Sequence, residues 1–375
     1  MFADNWKISL RQVRRLLMLD IFGLSSLLLP GLLSSLTGGD GIFCLILGMA
    51  GGSLMLWLMQ KNLQNAEGTY YDYMKDTVGQ TIGDIFMIFY FLYFVTLCGF
   101  VLYQATLLVM TCLLPEGSYF WISVLLLLLA AYGTIRGIEG RARVYEIIFW
   151  FLGIPLLIML FLALREVHTD YWTPVAASGV EMVVQKGIDV WIFLLPLAAV
   201  LFLKPFCRES EKLTLCGEGA LIAVTLMNSL IYLILLGVFG KNTLGALKRP
   251  VITLMGMINL PGGFFTRQEV IMTAVWFFAL FALMHTGVFQ STLILKELFH
   301  EPKNYYSMGI SLFFAFFLGM AFFKNTVLLE VYESCQRWIV LPGMMGILLI
   351  LLLAHRIRNG RREKKGGEET CGKSR

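Results

Sequence analysis

Residues 85–115 read IFMIFYFLYFVTLCGFVLYQATLLVMTCLLP, a stretch without a single Asp, Glu, Lys or Arg. About 18 such residues suffice for a helix to cross the ~30 Å hydrocarbon layer of a bilayer. This run predicts a membrane-spanning helix. Eight further uncharged runs surround it, at 21–39, 41–60, 117–135, 147–164, 219–240, 270–295, 304–323 and 338–354, and a shorter one lies at 190–203. Together they predict an all-α integral membrane protein with about ten transmembrane helices.

The composition agrees. Of 375 residues, 58% are hydrophobic and 15% charged, with a mean hydropathy of +0.74. A soluble domain carries about 25% charged residues to cover its surface, so a soluble enzyme, a disordered chain and a disulfide scaffold are all excluded. The first apolar run leads directly into further spans, which argues against a removable leader. The seven cysteines are scattered, without a C-x-x-C pair or a histidine at metal-ligand spacing, so no metal or cofactor is implied. The net charge of +5 follows the topology and gives no nucleic-acid signal.

With the N-terminus inside, 22 of the 30 Lys and Arg residues fall on the cytoplasmic side and 8 outside. An excess of basic residues marks the cytoplasmic face, so both termini are expected there, with an even number of spans. Residues 1–355 form one polytopic domain. Residues 356–375 form a basic cytoplasmic tail, read either as a solvated flank or as a contact to anionic lipid. The outer loop 166–187 carries Trp172 and Pro174. The outer loop 241–268 contains an apolar piece, Val251 to Pro261, too short to cross and suited to an interfacial lid or docking surface.

Ten spans divide into five and five, with repeat one at about 8–165 and repeat two at about 180–355. Transporters built from inverted repeats bind substrate at mid-depth, where helices at matching positions are interrupted. Segments one and six are the matching pair here. Segment one holds Asp20, Phe22, Gly23, Leu24, Ser25 and Ser26; its glycine permits the backbone to leave the helix and its serines supply hydroxyls to freed groups. Segment six holds Trp191, Leu195 and Pro196, and the proline removes one helical hydrogen bond. Both segments are therefore expected to break and to expose backbone to a ligand. The plain alternative is that Gly and Pro merely bend membrane helices.

Asp20, an acid inside an apolar run, either meets a ligand ammonium or a proton, or reaches back to Arg15 at the interface. His285 either relays protons or is a neutral packing residue. In segment three, Tyr93 and Thr96 share a helical face, near Tyr90 and Gln104, and either line a cavity or join helices. No H-E-x-x-H, G-x-S-x-G or phosphate-loop motif is present, so no catalytic residues are assigned and an enzyme is not expected.

Several motifs occur in a recognisable order. Ile8-Ser9 leads to Gly23 and Pro30, and Gly39-Asp40 precedes segment two. Arg136-x-Ile138-Glu139-x-x-x-Arg143-Val144-x-Glu146 joins segments four and five, Pro196 marks segment six, and Phe265-x-Arg267-x-Glu269 leads to Trp276. In these features the chain resembles the B subunits of Ger-type spore germinant receptors, in the amino acid–polyamine–organocation superfamily. The resemblance implies a LeuT-like 5+5 inverted repeat in the inner membrane of a bacterial spore. It implies a small-molecule germinant, usually an amino acid, and partners in a membrane A subunit and a lipoprotein C subunit. Asp20 departs from the family pattern, which has an uncharged polar residue there. Glu139, Arg143, Arg267 and Glu269 match family motifs and are candidate partner or gating residues; local pairing of Glu139 with Arg143 is the simpler reading.

The expectation is a receptor subunit that binds a small zwitterion between segments one, three, six and eight, with Tyr93, Thr96 and His285 joining the residues of segments one and six. The rival is an autonomous proton- or sodium-coupled amino acid transporter of the same fold, since fold does not determine function.

Overall fold

The computed structural model describes residues 7–36, 38–247, 249–257, 268–301 and 303–372, and for 268–272 and 359–372 only the helical backbone. Arg267 and the last four residues of the apolar piece 251–261 fall outside these residues; the rest of that piece belongs to a short helix, Pro250–Met257.

Among the described residues, nine helical segments are long and apolar enough to span a bilayer, and a tenth, Tyr119–Ile135, is slightly shorter. In chain order the helices are α1 (Leu10–Leu33), α2 (Gly41–Asn65), α3 (Tyr70–Val78), α4 (Gln80–Cys112), α5 (Tyr119–Ile135), α6 (Gly137–Ala163) and α7 (Val180–Ile192). They continue with α8 (Val200–Leu203), α9 (Leu213–Ala246), α10 (Pro250–Met257), α11 (Gln268–Leu298), α12 (Tyr305–Lys324), α13 (Val327–Cys335) and α14 (Leu341–Gly372). The ten spans are α1, α2, α4, α5, α6, α7 with α8, α9, α11, α12, and α13 with α14.

Packing is paired across the two halves. Helix α1 lies along α9, and its counterpart α7 lies along α2; α4 packs directly on its own counterpart α11. Small residues set these approaches, as is usual where helices associate without a hydrophobic driving force. A Cβ placed on Gly48 would lie 2.4 Å from the Val190 side chain, so α2 and α7 meet at van der Waals distance. The opposite faces of α5, α6 and α12 expose Leu125, Ile147, Phe161 and Phe313. Such a belt suits lipid rather than water.

The two predicted breaks separate. Segment six does break: α7 stops at Ile192, a two-residue turn follows, and Leu195–Ala199 forms a 3₁₀ turn before α8. Pro196 sits at the start of that turn, where its missing N–H is harmless. Segment one does not break. Helix α1 is continuous from Leu10 to Leu33, with Pro30 inside it. Ser25 and Ser26 donate their hydroxyls to the carbonyls of Ile21 and Phe22, both at 2.7 Å, four residues back on an intact helix. Gly23 serves packing instead, because a Cβ there would come within 2.7 Å of the Ala279 carbonyl carbon on α11. Glycine allowed a break, and the close crossing of α1 with α11 is the use made of it.

The last span also starts earlier than its uncharged run. Helix α13 carries Glu330 and Glu333. A π-helical turn, Gln336–Val340, then joins it to α14. Helix α14 extends through the basic tail to Gly372.

At the end bearing the N-terminus the bundle is tied shut. Ile8 donates its N–H to the Phe206 carbonyl at 2.8 Å. Arg15 pairs with Glu146 of α6 at 2.5 Å and Arg11 with the same carboxylate at 2.9 Å. Between α11 and α12, Glu301 accepts the N–H groups of Tyr306 and Ser307 at 3.0 and 3.1 Å, and caps α12. The Ser307 hydroxyl, together with these N–H groups, outweighs burial and holds the Glu301 carboxyl below its usual value. A carboxyl lowered on folding contributes stability above its unfolded value, and loses it as pH falls through the folded one. Glu301→Gln is therefore expected to lower the melting temperature at neutral pH, with the difference from wild type closing in acid; a pH series of melting curves checks it.

Candidate functional site

Cutting segment six at Phe193 and Leu194 leaves a gap between α1, α4, α7 and α13. A cavity of about 370 Å³ fills it, within the range of small-molecule sites. Its deep end is formed by Leu24 of α1, Tyr93 of α4 and Pro196 of the broken segment. Its mouth, at the end away from the N-terminus, carries Lys186, Asp189, Glu330, Glu333 and Arg337. Both signs of charge therefore stand over an apolar floor.

Asp189 is the hinge of this mouth. It forms an ion pair with Arg337 across the cavity and lies 3.8 Å from Lys186 on its own helix. Two buried polar atoms of cavity-lining residues, the Tyr93 hydroxyl and Gln336 Oε1, have no hydrogen-bond partner among the described residues. Unpaired buried polar groups are costly, and the π-turn that presents Gln336 is a geometry that recurs at functional sites.

Of the residues picked out from sequence, Leu24, Tyr93 and Pro196 meet at this cavity. The others lie elsewhere. Ser25 accepts from Asn228 Nδ2 at 2.8 Å and Ser26 from the Trp276 indole at 3.0 Å, joining α1 to α9 and α11. Phe22 and Leu195 are buried in the core. Thr96 donates to the Leu92 carbonyl at 2.8 Å. Trp191 packs against Gly51 of α2, and its indole N–H has no partner among the described residues. Glu139 pairs with Arg143 at 2.5 Å along α6, the local arrangement. Glu269 lies in the first turn of α11, its side chain outside the described residues, and Arg267 lies outside them altogether.

Asp20 does not turn back to Arg15, whose guanidinium is held by Glu146 and stacks over Phe149 and Trp150. It is fully buried and faces Arg141 of α6, Nη2 to Oδ2 at 3.4 Å, with the Thr286 hydroxyl of α11 donating to Oδ1 at 2.5 Å. Arg141 also donates to Thr286, and its guanidinium stacks over Tyr145 and Phe289. Beside it the Tyr145 hydroxyl meets the Ala282 carbonyl at 2.9 Å and His285 Nδ1 at 3.1 Å. Thus His285 belongs to a polar cluster binding α1, α6 and α11 together, not to the cavity. Sequence reading missed Arg141 as the partner of Asp20. A signal existed: Arg141, Tyr145, Ile148 and Leu152 recur at 4, 3 and 4 residues, the inward stripe of α6.

Comparison with known proteins agrees with this architecture. Residues 7–328 match the family model described as "Spore germination protein". Among curated relatives, spore germination protein KB of Bacillus subtilis (strain 168) is 25% identical over 98% of this chain and 99% of its own. Spore germination protein YndE of the same organism is 24% identical, covering 80% of this chain and 84% of its own. Spore germination protein B2 is 25% identical over 71% and 72%. Among solved structures, a substrate-bound, outward-open Na⁺-coupled sialic acid symporter superposes with a TM-score of 0.63 at 11% identity, covering 90% of this chain and 78% of its own. Mhp1, a nucleobase-cation-symport-1 family transporter in a closed conformation, gives 0.58 at 14% identity over 93% and 92%. These likenesses identify the LeuT-type transporter fold. By the match over nearly all its length, the chain belongs to the spore germination protein family.

Proposed function

We propose that the chain is the nutrient-binding membrane subunit of a spore germinant receptor, and that the cavity between α1, α4, α7 and α13 takes a small zwitterion such as an amino acid. The observation that carries this reading is the pairing of both charge signs at the mouth with unpartnered Tyr93 and Gln336 atoms in the residues that line it. An ammonium would meet Asp189, Glu330 or Glu333; a carboxylate would meet Lys186 or Arg337; an apolar side chain would rest on Leu24 and Leu97. Neither end then loses its partners on leaving water.

Binding signals only if the ligand prefers one arrangement of the bundle over another. The Asp189–Arg337 pair across the mouth and the Arg15–Glu146 pair at the other end are the contacts whose balance such a preference would shift. Output passes to partner subunits, an A-type membrane subunit and a C-type lipoprotein. The setting is the inner membrane of the spore or the cell membrane, with both termini cytoplasmic and repeats at about 8–165 and 180–355.

A thermal-shift screen of the purified chain against amino acids, nucleosides and sugars tests this. A true ligand at a hundred times its Kd is expected to stabilise the fold by about 2.7 kcal/mol. Tyr93→Phe should weaken that ligand by about 1 kcal/mol, the value of one hydrogen bond. A screen in which no class shifts the melting curve counts against the reading. Robust counterflow of labelled amino acid by the chain alone in liposomes would instead favour the transporter that its fold also allows.

A further inference from the structure

A second cavity, about 770 Å³, lies on the other side of the molecule between α5, α6 and α11. It is open sideways. Leu129 and Tyr132 of α5 and Val144 of α6, all on its rim, are exposed by 52%, 55% and 51% in a region where the surrounding medium is hydrocarbon. Its back wall is aromatic, from Phe278 and Phe281 of α11. Along α6 it runs from the first turn, at Glu139 and Gly140, to Ile148, within the eleven helical steps that separate Gly137 from Ile148. At ~1.5 Å per residue that is about 16 Å, half of the ~30 Å hydrocarbon layer and therefore the depth of a single leaflet.

The groove is not uniformly apolar. Arg136 stands at its end, exposed, steadied by the Tyr132 hydroxyl at 2.8 and 3.1 Å. At its floor are two groups that are more than nine-tenths buried and incompletely satisfied: His285, whose Nε2 has no partner among the described residues, and Arg141, whose Nε and Nη1 have none. His285 faces Gly133 on the α5 wall, where a Cβ would lie 2.9 Å from Nε2. The absence of a side chain at Gly133 lets α5 close onto the His285 ring. With Arg143 paired to Glu139 and Arg141 to Asp20, the lining keeps one guanidinium in excess, that of Arg136. Its charge complements an anion.

We infer that this groove is a lipid site, taking one anionic phospholipid from the cytoplasmic leaflet with an acyl chain against Phe278 and Phe281, its phosphate at Arg136, and its oxygen acceptors toward Arg141. The open side faces the bilayer, the length matches one leaflet, and the polar floor supplies donors that a hydrocarbon chain alone would leave unpaired. Because Arg141 also holds Asp20, occupancy of the groove acts on the junction of α1 with α6 and α11. The inference stands apart from the nutrient cavity and does not require it.

Native mass spectrometry of the purified chain, offered phosphatidylglycerol and phosphatidylcholine at equal concentration, tests it. The expected result is one retained phosphatidylglycerol, preferred at least tenfold. Leu129→Trp, which fills the groove, should reduce retention at least tenfold, and Leu128→Trp, on the exposed face outside the groove, should leave it unchanged. Arg136→Gln, a surface change that bears the test alone if the tryptophan variant does not fold, should abolish the preference between headgroups. Equal retention by both tryptophan variants, or no headgroup preference in the wild type, would overturn the proposal. So would exclusion of phosphatidylglycerol from the assembled receptor by a helix of another subunit, read by photo-crosslinking from Leu129→Cys.

Discussion

Replacing Arg141 by methionine is expected to destabilise the protein by about 3–5 kcal/mol, the cost of leaving one member of a buried ion pair without its partner. Asp20 would remain fully buried between α1, α6 and α11, retaining only the Thr286 hydroxyl. Combining Arg141→Met with Asp20→Asn should recover most of the loss, since both charges are then gone and the site is left neutral. Melting temperatures of the two single variants and the double variant decide the matter. If the three are equally destabilised, the pair contributes nothing specific and the cluster is held by packing alone. Recovery in the double variant would identify Asp20 as a structural acid rather than a ligand contact.

Gly23→Leu is the second large effect. Even a Cβ at this position meets the Ala279 backbone at 2.7 and 2.8 Å, and backbone cannot swing aside as a side chain can. Overpacking of this kind costs about 1–3 kcal/mol or more, and it would separate α1 from α11 at the level of the Asp20 cluster. The expected result is a lower melting temperature and poor recovery from the membrane, with or without nutrient. A variant that melted like the wild type yet lost its ligand-induced shift would instead return Gly23 to the binding site and reinstate an opening of α1 in another state of the protein.

The spans were readable because hydrocarbon demands uncharged residues and covalent chemistry alone satisfies that demand. The break at Pro196 was readable for a similar reason, since a missing N–H is a property of the residue itself. Gly23 carried no such compulsion: it permits several backbones, and the neighbour that decided among them, Ala279, is 256 positions away in the chain. The partner of Asp20 was equally remote, 121 positions distant at Arg141. The fourth wall of the cavity escaped because Glu330, Glu333 and Arg337 interrupt the apolar signal of the last span. Those charges are tolerated there because they line a polar recess instead of facing lipid.

Helix α5 has one more consequence. Its 17 residues give a rod of about 25 Å, several ångströms less than an average bilayer is thick in its oily part. Either the membrane pinches inward beside Leu129 or the ends of the helix are drawn below the headgroups, at a cost of fractions of a kcal/mol for each ångström. Longer or straighter fatty chains would raise that cost and shorter or unsaturated ones would relieve it, so the stability of this protein should track the thickness of the membrane that holds it.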